Sequence, residues 1–448
     1  MLDASATVAL GSRRWRSLFV AQSTGVLARG TLHVTVLTPA RLYTCTPVRS
    51  NGGMALTVQA ILQEYYAAFA ASHPLAAYQR DAAEALRHCR TAALGGHWRS
   101  CPNGHVHTPH YNSCKHRNCP LCAALDRERW LVGWKERLLD CSHVHTVFTV
   151  PQELRVLWRY NKPEFTNLLF HAATDALREL LADQKYMGGL PGLLAALHTW
   201  GQELQEHLHL HVLLTWGGLT EDGRWVEPKK KCLLPRHVLM QVFRGKLRAF
   251  LLKALNKGQL ALPPDLTEAA ARSLLNRLGR VVWNVKILER YEHGQGVVTY
   301  LARYLKGGPI SNGRLVDCRD GVVRFWYQDN QDEDEDGRGR RKILPLPVGQ
   351  FLSRLLEHVP PPGLQTVRPY GLYANSKQPD RAVARTQLGQ PVEAKRVKIS
   401  WQDVCERLGL HAATVCPVCG APLVVHGRFP RGAVPPPPLA QPPPAKVA

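Results

Sequence analysis

Between positions 206 and 214 the chain alternates polar and aliphatic residues: Glu206-His207-Leu208-His209-Leu210-His211-Val212-Leu213-Leu214. A period of two marks a β-strand, and it sends His207, His209 and His211 to one face while Leu208, Leu210 and Val212 pack beneath. A second such run, His143 to Val150, stops at Pro151, and Val147-Phe148-Thr149-Val150 has the character of a central core strand. A third, about Leu193 to Trp200, joins the histidine strand through Gly201-Gln202-Glu203, which predicts an antiparallel hairpin at the centre of a sheet. Further strands are expected at 281–287, 322–327 and 366–373.

Helical periodicity takes over elsewhere. It predicts helices at about 55–70 and 77–91 with Ala and Leu on one face, at 163–183 before Gly188-Gly189, and at 348–358. Residues 224–280 alternate basic turns and helices, with Lys229-Lys230-Lys231 and an amphipathic run around Phe243; a solvated charged face is the default for such a run. Val297 to Lys306 reads as a short helix stopped by Gly307-Gly308-Pro309. Tyr300 and Tyr304, four apart, leave the same side of it one turn from each other. Residues 329–341 are expected as a charged loop and 376–398 as a polar, basic linker.

Charge narrows the possible partners. Among 448 residues, 57 Lys and Arg against 35 Asp and Glu give a formal net charge of +22 and a pI near 9.7. Such an excess points to a polyanion, most simply nucleic acid, whose phosphates release counterions on binding. No apolar run approaches membrane-spanning length and no signal-peptide core is present, so a cytoplasmic, nucleoid-associated protein is expected.

Cysteine spacing adds metal. Of 12 cysteines, five fall between 89 and 122, and Cys416-Pro-Val-Cys419 forms a knuckle. Clustering of this kind indicates zinc in a reducing compartment rather than a disulfide framework. Cys119 and Cys122, on a Cys-x-x-Cys turn, present two thiolates at the bite zinc requires. Cys101 is the expected third ligand and His105 the fourth, with Cys114, His116, His107 and Cys89 as competitors. The knuckle's partners are expected to be Cys405 and His426. Lys115, Arg117, Arg127 and Arg129 crowd the first cluster and suit phosphate contact.

The histidine strand is the candidate for a catalytic cation. His207, His209 and His211 are its own imidazoles, and Gln202, Glu203 or His207 could supply a third ligand. His143-Val144-His145 also has ligand spacing, but is set aside as a decoy in favour of the longer run. A phenol is a weak nucleophile at neutral pH, and a cation that polarises a scissile phosphate lowers the demand on it. Arg303, Lys306 and Arg314 could screen the same charge.

A Phe-Thr-Val strand, a His-hydrophobic-His strand and then a tyrosine helix, in that order, resemble the HUH endonuclease superfamily. The closer likeness is to the rolling-circle insertion-sequence transposases of its two-tyrosine branch. It extends from Met54 to Cys419 and includes Cys89-Arg-Thr-Ala-Ala-Leu-Gly-Gly96, Tyr111-Asn-Ser-Cys114 through Cys119-Pro-Leu-Cys122, Leu197-His-Thr-Trp200, Tyr300-Leu-Ala-Arg-Tyr304 and Arg368-Pro-Tyr-Gly371. The resemblance implies that His209 and His211 hold Mg²⁺ or Mn²⁺, that Tyr300 and Tyr304 are nucleophiles forming 5′-phosphotyrosine links, and that the N-terminal cysteines hold Zn²⁺. Single-stranded element ends with a flanking hairpin or duplex are the implied DNA partner, touched by Lys115, Arg117, Arg303 and Lys306. The chain departs from many relatives at Gly104-His105, where they carry a second cysteine three after the first.

The expected fold is α+β: a helical zinc-binding module, then an HUH-type central antiparallel sheet flanked by helices. Residues 1–53 are expected to be disordered or an over-extended reading frame. A zinc-binding DNA-contact domain over 54–140, a catalytic domain over 141–327 and an accessory region over 328–415 follow. A half knuckle at 416–427 and a disordered Pro-rich tail at 428–448 complete the chain. The rivals are a replication initiator or relaxase of the same chemistry, a non-catalytic zinc-dependent DNA-binding regulator, and a small-substrate metallohydrolase.

Overall fold

The structure is a computed structural model and describes residues 56–230, 232–305, 307–335, 339–391, 399–409 and 414–433. The side chains of Tyr300, Arg303, Tyr304, Leu305 and Asn330 are not among those described, and the expectations for residues 1–53, for Lys306 and for the tail beyond 433 fall outside.

Helices α1 (Val58–Ser72) and α2 (Ala77–Arg87) lead into strands β1 (Gly96–Ser100) and β2 (His107–Tyr111), then α3 (Ala123–Arg137). β3 (His143–Thr149), α4 (Arg155–Tyr160), α5 (Lys162–Ala182), β4 (Leu190–Trp200), β5 (Glu206–Leu219) and β6 (Trp225–Val226) follow. Next come α6 (Arg236–Asn256), α7 (Glu268–Leu278), β7 (Val285–Tyr291) and α8 (Gln295–Leu305). The chain then runs through β8 (Leu315–Arg319), β9 (Val322–Glu333), β10 (Gly339–Pro347), α9 (Val348–Glu357), β11 (Val367–Gly371), α10 (Gln378–Gln387), α11 (Trp401–Arg407) and β12 (Val424–Phe429). None of the described helices is long and apolar enough to cross a membrane.

The central sheet runs β11-β4-β5-β3-β7, with β6 added to β5, and its pairs are antiparallel. The expected hairpin is β4-β5. One face, formed by Leu208, Leu210, Val212 and Leu214 with Val144 and Phe148, packs under α5, α6 and α7 through Phe165, Phe170, Phe243, Leu247 and Leu274. The opposite face carries Leu194, Ala196 and Leu213, which meet Leu131 and Trp134 of α3 and Val297, Val298, Leu301 and Ala302 of α8. A third cluster joins α1, α2, α9 and the β8-β9-β10 sheet around Ile61, Leu62, Phe325 and Phe351. The fold is therefore mixed α+β, as its patterning indicates.

The turn between β4 and β5 is clamped from several sides. Leu204 holds a left-handed backbone at φ 62°, a conformation that costs a non-glycine residue about 1 kcal/mol. Full burial of its side chain in the α1/α9 cluster offsets that cost. His358 Nε2 donates to the Leu204 carbonyl at 2.9 Å, Arg354 to that of Glu203 at 2.9 Å, and Arg314 to that of Gln202.

Two stretches differ from the sequence reading. Where a loop was expected at 329–341, β9 and β10 form a hairpin whose polar positions pair across the strands, Lys342 reaching Asp329 at 2.8 Å and Asp332 at 2.9 Å. Within the expected linker, α10 is ordered by buried arginines. Arg381 donates to the Leu372 carbonyl at 2.9 Å, and Arg385 to those of Glu136 and Leu138 at 2.8 and 3.1 Å. Guanidiniums that satisfy core-facing carbonyls look polar in a hydrophobicity pattern, which hides the helix.

Candidate active site

β4 and β5 pair with His198 directly opposite His209 and Ala196 opposite His211. Period-two geometry then places His198, His209 and His211 on one face, and one nitrogen from each lies within 4.8 Å of the others. Ring centroids are 4.1 Å apart for His198 and His211, 4.8 Å for His209 and His211, and 5.2 Å for His198 and His209. The third imidazole of this group thus comes from the neighbouring strand, and Glu203 and His207 are not part of it. The His207 ring is exposed, and its carbonyl accepts from His209 Nδ1 at 2.7 Å. His198 lies in the Leu197-His-Thr-Trp200 run, but only strand register reveals its partner.

The decoy strand also takes part. His145 Nε2 lies 2.7 Å from His211 Nδ1. Nδ1 of His209 donates to a carbonyl, so that ring turns the lone pair of Nε2 toward a ligand, and His211 does the same in the tautomer whose Nδ1 donates to His145. Burial holds His209 down to about 3 and His198 and His211 well below their ordinary range, so all three are neutral donors at physiological pH. Three imidazole nitrogens with no carboxylate among them fit a divalent cation with open positions. Replacing His145 with Phe removes the bond that fixes the His211 tautomer, and is expected to weaken cation affinity about 10–100-fold, with His145→Gln restoring part of it. Calorimetric titration with Mn²⁺ checks this; equal affinities in wild type and His145→Phe refute it.

The sulfur ligands divide differently from the expected quartet. Cys119 and Cys122 join Cys89 and Cys114, whereas Cys101 and His105 join Cys416 and Cys419. Cys89, just past α2, is drawn in by the Cys114 N–H at 3.5 Å, and Cys114 Sγ lies 3.7 Å from Cys122 Sγ. A tetrahedral zinc with sulfur ligands has S···S edges of about 3.8 Å, which matches. Hydrogen bonds within the set lower the Cys89 and Cys122 thiols and push that of Cys119 up. Cys405 and His426, expected beside the knuckle, stand elsewhere: Cys405 is buried in α11, and His426 bonds Ser100 and stacks on His107. His116 accepts the Asn118 N–H at 3.2 Å instead of joining a cluster.

Of the expected phosphate contacts, Lys115 is exposed, whereas Arg117 is half-buried and donates to Thr366 Oγ1 at 2.5 Å. Arg314, expected to screen charge, anchors the β4-β5 turn. Arg303 and Lys306 lie outside the described side chains, as do the phenols of Tyr300 and Tyr304.

The helix carrying those tyrosines is nevertheless well placed. The buried positions of α8 pack on Leu194, Ala196 and Leu213. Leu213 is two residues beyond His211 and Ala196 two before His198, so α8 covers the sheet face that bears the histidines. Its exit is tied to the four-cysteine knuckle: the Gly307 N–H donates to the Arg117 carbonyl at 2.7 Å. Gly308 has φ 76°, and a Cβ there would stand 2.5 Å from the Asn118 oxygen, so only glycine allows this approach.

Two family models match. Residues 61–150 match the model described as "Transposase zinc-binding domain", and residues 192–380 that described as "Putative transposase". The chain is 35% identical over 370 residues to "Putative transposase y4qJ" of Sinorhizobium fredii, covering 80% of this chain and 92% of that one. It is 32% identical over 296 residues to the "Transposase for insertion sequence element IS801" of Pseudomonas savastanoi pv. phaseolicola, covering 64% of this chain and 68% of that one. By these matches the chain belongs to the rolling-circle insertion-sequence transposases of the IS91 group, a DNA-processing family, and carries an N-terminal transposase zinc-binding domain.

Proposed function

We propose that this transposase cuts and rejoins single-stranded DNA at its element's ends by tyrosine attack on a phosphodiester beside the histidine trio. The observation that carries this reading is the packing of α8 on the histidine face of the sheet. A phenol oxygen of Tyr300 or Tyr304 gives up its proton and attacks phosphorus, the bond from phosphorus to the 3′-oxygen breaks, and that oxygen takes up a proton. The products are a 5′-phosphotyrosine link and a free 3′-OH. Because the new ester keeps the energy of the bond it replaced, the 3′-OH of another strand can reverse the step without ATP. Two tyrosines allow two covalent ends at once.

His198, His209 and His211 would hold Mg²⁺ or Mn²⁺, and an all-imidazole set suits Mn²⁺ better than the harder Mg²⁺. When bound, the cation polarises the scissile phosphate and stabilises its developing charge. The four-cysteine knuckle would hold Zn²⁺ and, through Arg117 and Gly307, keep the end of α8 in register. The large positive charge and exposed Lys115 suit the DNA backbone, including a hairpin or duplex beside the cut.

An assay with single-stranded oligonucleotides labelled at the 5′ or the 3′ end separates the readings. This one expects a covalent protein adduct carrying only the downstream, 3′-labelled fragment. Binding without an adduct would mark a regulator, and cutting without one a hydrolase; either outcome ends the proposal.

A further inference from the structure

We infer that the chain holds a second zinc ion in a bipartite site, formed by Cys101 and His105 from one end of the protein and Cys416 and Cys419 from the other. The four ligand atoms lie within 4.8 Å of one another. Cys101 Sγ is 3.5 Å from Cys419 Sγ and 3.6 Å from His105 Nδ1, and Cys416 Sγ is 3.9 Å from His105 Nδ1. A tetrahedral zinc has edges of about 3.8 Å between sulfurs and about 3.6 Å between sulfur and nitrogen, so the set is close to the size that the ion demands.

Both halves are built as knuckles. In the first, the Gly104 N–H donates to the Cys101 carbonyl at 3.0 Å and the Asn103 N–H to Cys101 Sγ at 3.3 Å. In the second, the Gly420 N–H donates to the Cys416 carbonyl at 2.9 Å. Amide donors aimed at a sulfur stabilise the thiolate that a metal needs. The Asn103 side chain bridges the halves, its Nδ2 lying 3.4 Å from Cys419 Sγ. The zinc-binding family match ends at residue 150 and contains only the first half. His105 stands in for the missing thiolate of an ordinary Cys-x-x-Cys pair, which makes this a site of three sulfurs and one nitrogen.

The ion would clasp the C-terminal segment to the N-terminal module. β12 pairs with β1 from Gly96 opposite Phe429 to Ser100 opposite Val424, completing the β12-β1-β2 sheet. Little apolar burial holds that strand: Val424 and Val425 are 52% and 54% exposed, and Phe429 is its buried anchor. A structural zinc contributes folding free energy directly, and here it would act where the hydrophobic contribution is small.

Zinc counted per chain on the full-length protein, purified under reducing conditions, tests this. Cys416→Ser combined with Cys419→Ser should lose one equivalent relative to wild type, as should Cys101→Ser, and amide exchange in β12 should rise at least about tenfold in both. His105→Cys should keep the ion. With Co²⁺ substituted, the visible spectrum left after subtracting that of the Cys416/Cys419 double variant should move from a three-sulfur, one-nitrogen pattern to a four-sulfur one, a change that general damage to the fold does not produce. An unchanged zinc count in the Cys416/Cys419 double variant, or an unchanged cobalt spectrum in His105→Cys, overturns the assignment.

Discussion

With both Tyr300 and Tyr304 changed to phenylalanine, the protein should form no covalent adduct with single-stranded DNA, a loss of at least about 10⁴-fold in adduct formation, while each single change retains one round of cleavage. Phenylalanine keeps the ring but deletes the oxygen proposed to attack, so charge is preserved while the proposed nucleophile is removed. The substitutions leave the +22 net charge unchanged, so DNA affinity should be unaltered, and its measurement by anisotropy is the control. Adduct formation by the double variant at the wild-type rate would remove these residues from the reaction. Two usable nucleophiles also predict that wild type captures two labelled strands at once, whereas each single variant captures one.

Acid should destabilise the protein progressively between about pH 6.5 and pH 4. His143 and His358 are buried as neutral imidazoles, each pushed down to about 4 by desolvation. His143 has both nitrogens engaged, one to the Cys141 carbonyl at 2.8 Å and the other with the Tyr373 hydroxyl at 2.7 Å. His358 Nδ1 meets Thr199 Oγ1 at 3.1 Å and its Nε2 donates to Leu204. Below about 6.5 the unfolded chain takes up protons that these folded sites refuse, so stability falls as pH falls, until about 4, where the folded sites also protonate. Each group then withholds about 3 kcal/mol, and together they rival the whole stability of an ordinary domain, about 5–15 kcal/mol. Denaturant midpoints at pH 7.5 and pH 5 measure this. His143→Gln, which can keep both hydrogen bonds without titrating, should lessen the acid loss, and equal midpoints at the two pH values in wild type would refute the account.

Much of the architecture was visible in local patterning. The β4-β5 hairpin, the β3 core strand, the tyrosine helix and its Gly-Gly stop depend on periodicity and turn residues, which act over a few positions. The α10 helix was not visible, because Arg381 and Arg385 occupy buried positions normally read from apolar residues. The β9-β10 hairpin was obscured by charges that cancel only once its strands are paired.

The same division separates the ligand sets. Pairs set by the local geometry of a turn or strand, Cys119 with Cys122, Cys416 with Cys419 and His209 with His211, can be read as candidates from sequence. Their partners cannot, since His198 depends on the β4-β5 register, Cys89 on the docking of α2, and Cys101 with His105 on a strand that returns from more than 300 residues away. Spacing specifies which atoms can share an ion within one element. Only the packing of elements, driven by apolar burial that is indifferent to ligand identity, decides which of those pairs meet.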